Sequence, residues 1–220
     1  MTERTATEAE SSAETGRTPR KATRKRAEET RERLMEAATE LFPALGFDGV
    51  SARTIETHAG VQRGLIAYHF DTKEALWREM ADRLFADLGK RLSSTAEAIR
   101  DLAPEERQKA FITTFVRYSA DAPMLNRMMA QEGKAPSWRL DYLYDTHLCD
   151  IREEVSRIIG REIDAHSYYV MTGAGAFVFT VEHVCEKIFG VNPREEAFVD
   201  EHARIVAGLL DSLRRETDER

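Results

Sequence analysis

The sequence predicts an all-α fold, and three observations carry that expectation. No segment of useful length alternates apolar and polar residues with the period of a strand. Apolar residues recur instead at the three- and four-residue spacing of amphipathic helices, and Gly and Pro punctuate the chain between those stretches. No internal repeat is visible.

Residues 1–26 are rich in Thr, Ala, Glu, Ser and Arg and hold no Leu, Ile, Val or Phe, so nothing in them offsets the entropy of ordering. They are expected to be a disordered basic tail. From about Ala27 the pattern changes: Leu34, Ala37, Ala38, Leu41, Phe42 and Leu45 form one helical stripe, with Pro43 inside it and Gly46 placed to end it. Ser51 is the expected N-cap of a short second helix carrying Ile55 and Ala59, which Gly60 breaks. A third short helix holds Leu65 and Ile66, and Asp71 or Thr72 caps a fourth. Further helices are expected at about 72–92, 94–102, 104–120, 123–131, 137–159, 164–189 and 193–215. Their breaks fall at Pro104, Pro123, Gly133 with Pro136, Gly160, and Gly190 with Pro193.

Composition narrows the function classes. With 42% apolar and 32% charged residues, the chain is too apolar for a disordered protein and too charged for a membrane one. Its longest weakly polar stretch, Val170 to Val181, falls short of the ~20 residues a spanning helix needs. The N-terminus lacks an apolar export segment, and Cys149 and Cys185 show no CxxC spacing, which together point to a reducing cytoplasm. The formal charge of −7 hides an asymmetry, since residues 17–73 hold eleven Lys/Arg against eight Asp/Glu. The densest part, Arg17, Arg20, Lys21, Arg24, Lys25 and Arg26, contains no acid and is a footprint for a polyanion.

A short helix, a Gly turn and a second short helix, backed by a longer first helix, make a helix-turn-helix over about residues 51–70. Such a module displays its last helix to a DNA major groove ~12 Å wide. Ile55, Ala59 and Ile66 are spaced to pack the two short helices together, with Val61 beneath the turn. Gln62, Arg63, Ala67 and Tyr68 are left facing outward. Paired hydrogen bonds suit Arg63 to guanine and Gln62 to adenine. Arg53, Thr54, Tyr68, His69 and Lys73 are candidate phosphate contacts, with Gly64 counted among the DNA-facing positions. For His69, core packing is an equal alternative, and for Phe70 the better one.

The segment Ser51 to Leu76 resembles the signature of the TetR-type helix-turn-helix transcriptional regulators. Thr54-Ile55 leads to Ala59-Gly60-Val61, then Gly64, then His69-Phe70, then Lys73-Glu74 and Leu76. The specific part covers about residues 30–80. Three positions depart from the family pattern. Glu56 stands where a small residue is usual at the helix crossing, so either its stem snorkels past the third helix or the crossing opens slightly; Gln62 replaces a Ser, and Ala67 a Tyr. The resemblance implies a DNA-binding domain over residues 27–87 and a helical ligand-binding and dimerisation domain over 88–220. It also implies a repressor that leaves its operator when an unidentified small molecule binds.

For the larger half, Phe198, Ile205, Val206, Leu209, Leu210 and Leu213 recur at helical spacing, and Gly173 in the preceding helix allows close approach. These are candidate dimer contacts, and a homodimer would place two reading helices ~34 Å apart on half-sites of a near-palindrome. Ligand-lining candidates are Phe111, Phe115, Tyr118, Met128, Met129, Trp138, Tyr142, Tyr144, Tyr169 and Phe177, with Glu132 and His147 as polar contacts. Each is equally suited to ordinary core.

Two rival readings remain. A helical enzyme or metal-binding protein could use His147, Asp150 and Glu154 on one helical face. No GxSxG, HExxH, P-loop or GxGxxG stands behind it, so no catalytic residue, metal or cofactor is expected. A helical interaction protein with a vestigial motif is the second, and the basic Arg17–Arg26 cluster beside the motif argues against it.

Overall fold

The computed structural model describes residues 18–218, with side chains described over residues 23–212. Most of the expected tail, Arg17 included, lies outside the described residues, as do the side chains of Arg20, Lys21 and Leu213. The described residues are helical, and no strand occurs among them. In chain order they form α1 (Thr18–Leu45), α2 (Ala52–His58), α3 (Leu65–Phe70), α4 (Lys73–Ile99), α5 (Pro104–Asp121) and α6 (Pro123–Glu132). Then come α7 (Trp138–Leu143), a π turn (Tyr144–Leu148), α8 (Ile151–Ile159), α9 (Ala165–Thr180), α10 (Glu182–Phe189) and α11 (Glu196–Asp218).

Four of these bounds differ from the expected ones, each for a local reason. Helix α1 starts at Thr18 instead of near Ala27, and its first turns carry exposed i,i+4 pairs, Arg24 with Glu28 at 3.0 Å and Lys25 with Glu29 at 3.7 Å. Such pairs add a few tenths of a kcal/mol to a helix that tertiary contacts already anchor. Helix α4 runs unbroken through Ser93 and Ser94, because a serine facing solvent interrupts nothing and Thr95 returns its hydroxyl to the Arg91 carbonyl at 2.8 Å. The span 137–159 is divided by the π turn, which resets the helical register before α8. The span 164–189 breaks at Val181 (φ −118°, ψ 39°), where Arg127 donates to the Thr180 carbonyl at 3.2 Å and pairs with Glu182 at 2.8 Å.

The apolar interior forms two clusters. One centres on α1, α2, α3 and the first half of α4, with Leu34, Phe42, Phe47, Ile55, Ile66, Phe70, Trp77 and Met80 buried. Tyr118, Leu125, Met128 and Leu143, all beyond residue 87, belong to this same cluster. The other is built from α5, α8, α9 and α11 and includes Phe111, Val116, Ile158, Phe179, Val206 and Leu210. The first core therefore crosses the division expected at residue 87.

This sharing is measurable. Met128→Ala, a change on α6, should cost ~2–5 kcal/mol in urea unfolding. It should also speed amide exchange in α2 and α3, with α9 little affected.

Candidate nucleic-acid interface

The α2–α3 unit is set by caps and one buried carboxylate. Ser51 caps α2, its hydroxyl accepting the Thr54 N–H at 3.0 Å and lying 2.7 Å from the Thr54 hydroxyl. The turn runs through Gly60 at φ +61°, and a Cβ there would sit 2.7 Å from an Arg33 nitrogen. That guanidinium donates to the Gly60 carbonyl at 3.1 Å, fastening the turn to α1.

Helix α3 begins at Gly64 (φ +90°), which has no side chain with which to cap. Glu56 supplies the missing acceptor. Its Oε1 accepts the N–H groups of Gly64 at 2.8 Å and Ile66 at 3.1 Å, and the residue is 5% exposed. A stem that passes α3 is thus not what forms: the carboxylate stops beneath it because α3 offers two amide donors that would otherwise be orphaned. A side chain too large for the usual crossing becomes the cap of the next helix.

Ile66 and Phe70 anchor α3 in the core, while Gln62, Arg63, Gly64, Ala67 and Tyr68 are exposed, Tyr68 at 75%. Arg53 is exposed on α2 beside them. Among the described residues neither Arg53 nor Arg63 is in an ion pair, so both guanidinium groups face solvent. His69 is half-buried, its ring 4.8 Å from that of Tyr68. Burial, and then the Arg31 guanidinium, hold its imidazole below the ordinary histidine range. Near neutral pH His69 is therefore a polar ring without charge.

Lys73 has an internal task. Its ammonium donates to the carbonyls of Phe47 at 3.1 Å and Val50 at 3.0 Å and lies 3.8 Å from the centre of the Phe47 ring. The sequence reading aimed this charge at a phosphate; the structure directs it to the loop before α2. Thr72 is the cap of α4, its hydroxyl accepting the Ala75 N–H at 3.0 Å. Between α3 and α4, Asp71 takes a positive φ of 70° and the Thr72 N–H reaches the Phe70 carbonyl at 2.8 Å, a tight γ-turn joining α3 to α4.

The ligand-lining set is dispersed. Phe111, Phe115 and Tyr118 line a cavity of ~10 Å³ with Leu88, Leu92 and Thr95, room for about one water. Burial first, and the Asp87 carboxylate second, push the Tyr118 phenol up to about 12. Met128 and Met129 pack in or against the first core, and Glu132 is buried in an ion pair with Arg139 at 2.7 Å. Trp138 packs on Phe47 and Trp77. Tyr144, Tyr169 and Phe177 are exposed. His147 and the Tyr142 hydroxyl both hydrogen-bond Asp82, at 2.9 and 2.7 Å, so His147 is engaged away from Asp150 and Glu154. The dimer candidates divide as well. Ile205 and Leu209 are exposed, but Val206 and Leu210 are buried in the second core and are corrected to intramolecular packing. Gly173 is exposed on α9 with open space beyond it, and Phe198 is half-buried and stacked on His202. Sequence reasoning missed the exposed Val184, Ile188 and Phe189 of α10, whose signal was an apolar residue at every third or fourth place beside charged ones.

Residues 34–80 match the family model described as "Bacterial regulatory proteins, tetR family". Among curated relatives, a probable HTH-type transcriptional regulator, YttP of Bacillus subtilis (strain 168), is 25% identical over 119 residues, 54% of this chain and 58% of the relative. The HTH-type transcriptional repressor DhaR of Mycobacterium sp. (strain GP1) is 34% identical over 67 residues, 30% of this chain and 34% of the relative. The chain thus spans between about a third and three fifths of the length of these curated relatives. Among solved structures, HlyIIR, a hemolysin II transcriptional regulator, superposes with a TM-score of 0.58 at 19% identity, covering 81% of this chain and 97% of that one. A transcriptional regulator from Aquifex aeolicus VF5 gives 0.51 at 19% identity, covering 84% and 99%. At such identities the likeness shows the fold.

Glu56→Ala should cost ~1–3 kcal/mol in urea unfolding, because two amides at the start of α3 lose their acceptor. Exchange at Gly64 and Ile66 should quicken most, and Glu56→Gln, which keeps an acceptor oxygen, should lose less. NMR titration should place the His69 ring below free histidine. Because folding depresses this pKa, stability held at neutral pH should fall as the pH drops through the ordinary histidine range.

Proposed function

We propose that this chain, whose residues 34–80 match the model of the tetR family of bacterial regulatory proteins, is a sequence-specific DNA-binding transcriptional regulator. It binds a near-palindromic operator as a homodimer and releases it when a small molecule occupies the C-terminal half. The observation that carries this reading is the display of α3. Ile66 and Phe70 hold it from below, Glu56 caps it, and Tyr68 stands in solvent on it beside Gln62 and Arg63 of the preceding turn, a surface that fits a groove ~12 Å wide.

Arg63 and Gln62 read base edges, and Arg53 and Tyr68 hold phosphates. Thr54, its hydroxyl shared with Ser51, adds a phosphate contact, and His69 contributes as a neutral hydrogen-bonding group. The basic residues Arg24 and Lys25, held only by exposed pairs, lend charge beside the module. Support for the homodimer comes from the apolar side chains that α9, α10 and α11 leave in water: Tyr169, Phe177, Val184, Ile188, Phe189, Ile205 and Leu209. The similarity over 67 residues to DhaR, a transcriptional repressor, supports repression as the sense of control. The Phe111–Phe115–Tyr118 cavity supports an effector site, one that must widen to admit anything larger than water. A coupling of ~1–3 kcal/mol would then change operator affinity ~5–150-fold.

Retention of source-genome fragments on the purified protein, followed by sequencing, tests the proposal. The retained fragments should share an inverted repeat. Arg63→Ala should relax preference at one position of each half-site by ~1–3 kcal/mol, whereas Arg53→Ala should weaken all sequences alike and lower the salt slope by about 1. Fragments with no common motif would sink the reading.

A further inference from the structure

The loop between α1 and α2 is gripped from the C-terminal half. Phe47, 6% exposed, stacks on Phe42 at 5.6 Å and meets the edge of Trp138 of α7 at 5.6 Å. Next along α7, Arg139 lies 4.9 Å from the centre of the same ring and 3.5 Å from the Asp48 carboxylate. Its guanidinium does not move freely, because Nε donates at 2.7 Å to Glu132 of α6, a carboxylate only 4% exposed. Lys73 holds the carbonyls of the same loop from α4. Immediately after the loop comes Ser51, which caps α2, and α2 carries the Glu56 that caps α3.

We propose that Arg139 is a positioning residue for DNA reading: it ties the loop that aims α2 and α3 to α6 and α7, so a displacement of those helices is transmitted to α3 through Phe47 and Asp48. An Arg suits this place because one planar group meets a buried carboxylate, an exposed one and an aromatic ring together. The contacts join the elements on either side of the expected domain division, without passing through the middle of α4. The functional half of this inference rests on the regulator reading above; the structural half does not.

The test uses the full chain with Arg139→Met, Arg139→Lys and the pair Glu132→Met with Arg139→Met, which leaves no buried carboxylate unpaired. Two quantities are read: amide exchange over residues 46–51, and affinity for the duplex that the unmodified chain retains from its source genome. Both Met variants should speed loop exchange about tenfold and leave α9 and α11 within about twofold. Both should weaken duplex binding about tenfold, and Arg139→Lys, which keeps a cation near Phe47 but not the planar fork, should recover part of the loss. Unchanged loop exchange in both Met variants overturns the proposal. So does faster exchange with undiminished duplex affinity, which would leave Arg139 a structural contact only. If the unmodified chain retains no duplex, the regulator reading fails by itself, and loop exchange still decides whether Arg139 holds the loop.

Discussion

A carboxylate shut away beneath α3 is the constraint on which the exposed surface of the helix-turn-helix depends. Helix α3 is six residues long, far too short to persist alone, and it starts at a glycine with nothing to offer its first amides. Glu56 reaches from α2 to accept two of them, and the Val61 N–H returns to the Glu56 carbonyl at 3.0 Å. One residue thus sets both the separation of α2 from α3 and the start of the exposed helix. Arg63 and Tyr68 have a defined direction only because this fastening holds.

Cations in this part of the molecule do two kinds of work. Arg33 fastens the turn, Lys73 the loop before α2, and Arg31 pairs with Glu79 while lying 4.7 Å from the centre of the Phe70 ring. Arg83 meets Glu32 at 2.7 Å and completes the link between α1 and α4. Among the described residues, the exposed guanidinium groups of Arg53 on α2 and Arg63 in the turn carry no such fastening, and Arg24 and Lys25 of α1 are held in exposed pairs. A net count of charge cannot make that division, because it depends on which carbonyls and rings lie within reach of each side chain.

Much of the reading head was legible in the residues. Spacing alone placed Ile55, Ala59 and Ile66 inside, and local chemistry placed Ser51 and Gly60 and narrowed the α4 cap to Asp71 or Thr72, since caps and turns depend on neighbours in sequence. What was not legible depends on distant geometry. Glu56 looked like an oversized side chain until α3 was placed where its amides could be capped. Val206 and Leu210 carry the same periodic signal as Ile205 and Leu209, yet one pair packs into its own chain and the other meets water. Spacing reports an apolar face without saying against what it lies. The candidate ligand wall is scattered for the same reason: composition suits aromatic residues to a pocket and to a core equally, and α5, α7 with its π turn, and α9 carry them to different places.

The interior that runs from α1 into α6 and α7 bears on where this protein can be divided. Severing the chain after residue 87 would take away Tyr118, Leu125, Met128 and Leu143, each at most 5% exposed, and lay bare the faces of Trp77 and Phe85 against which Trp138, Tyr142 and His147 lie. A fragment trimmed to the helix-turn-helix would begin life with an oily flank and a loosened loop, prone to stick to its own kind. The smallest autonomous piece is therefore larger than the helix-turn-helix, and it ends no earlier than the last turn of α7.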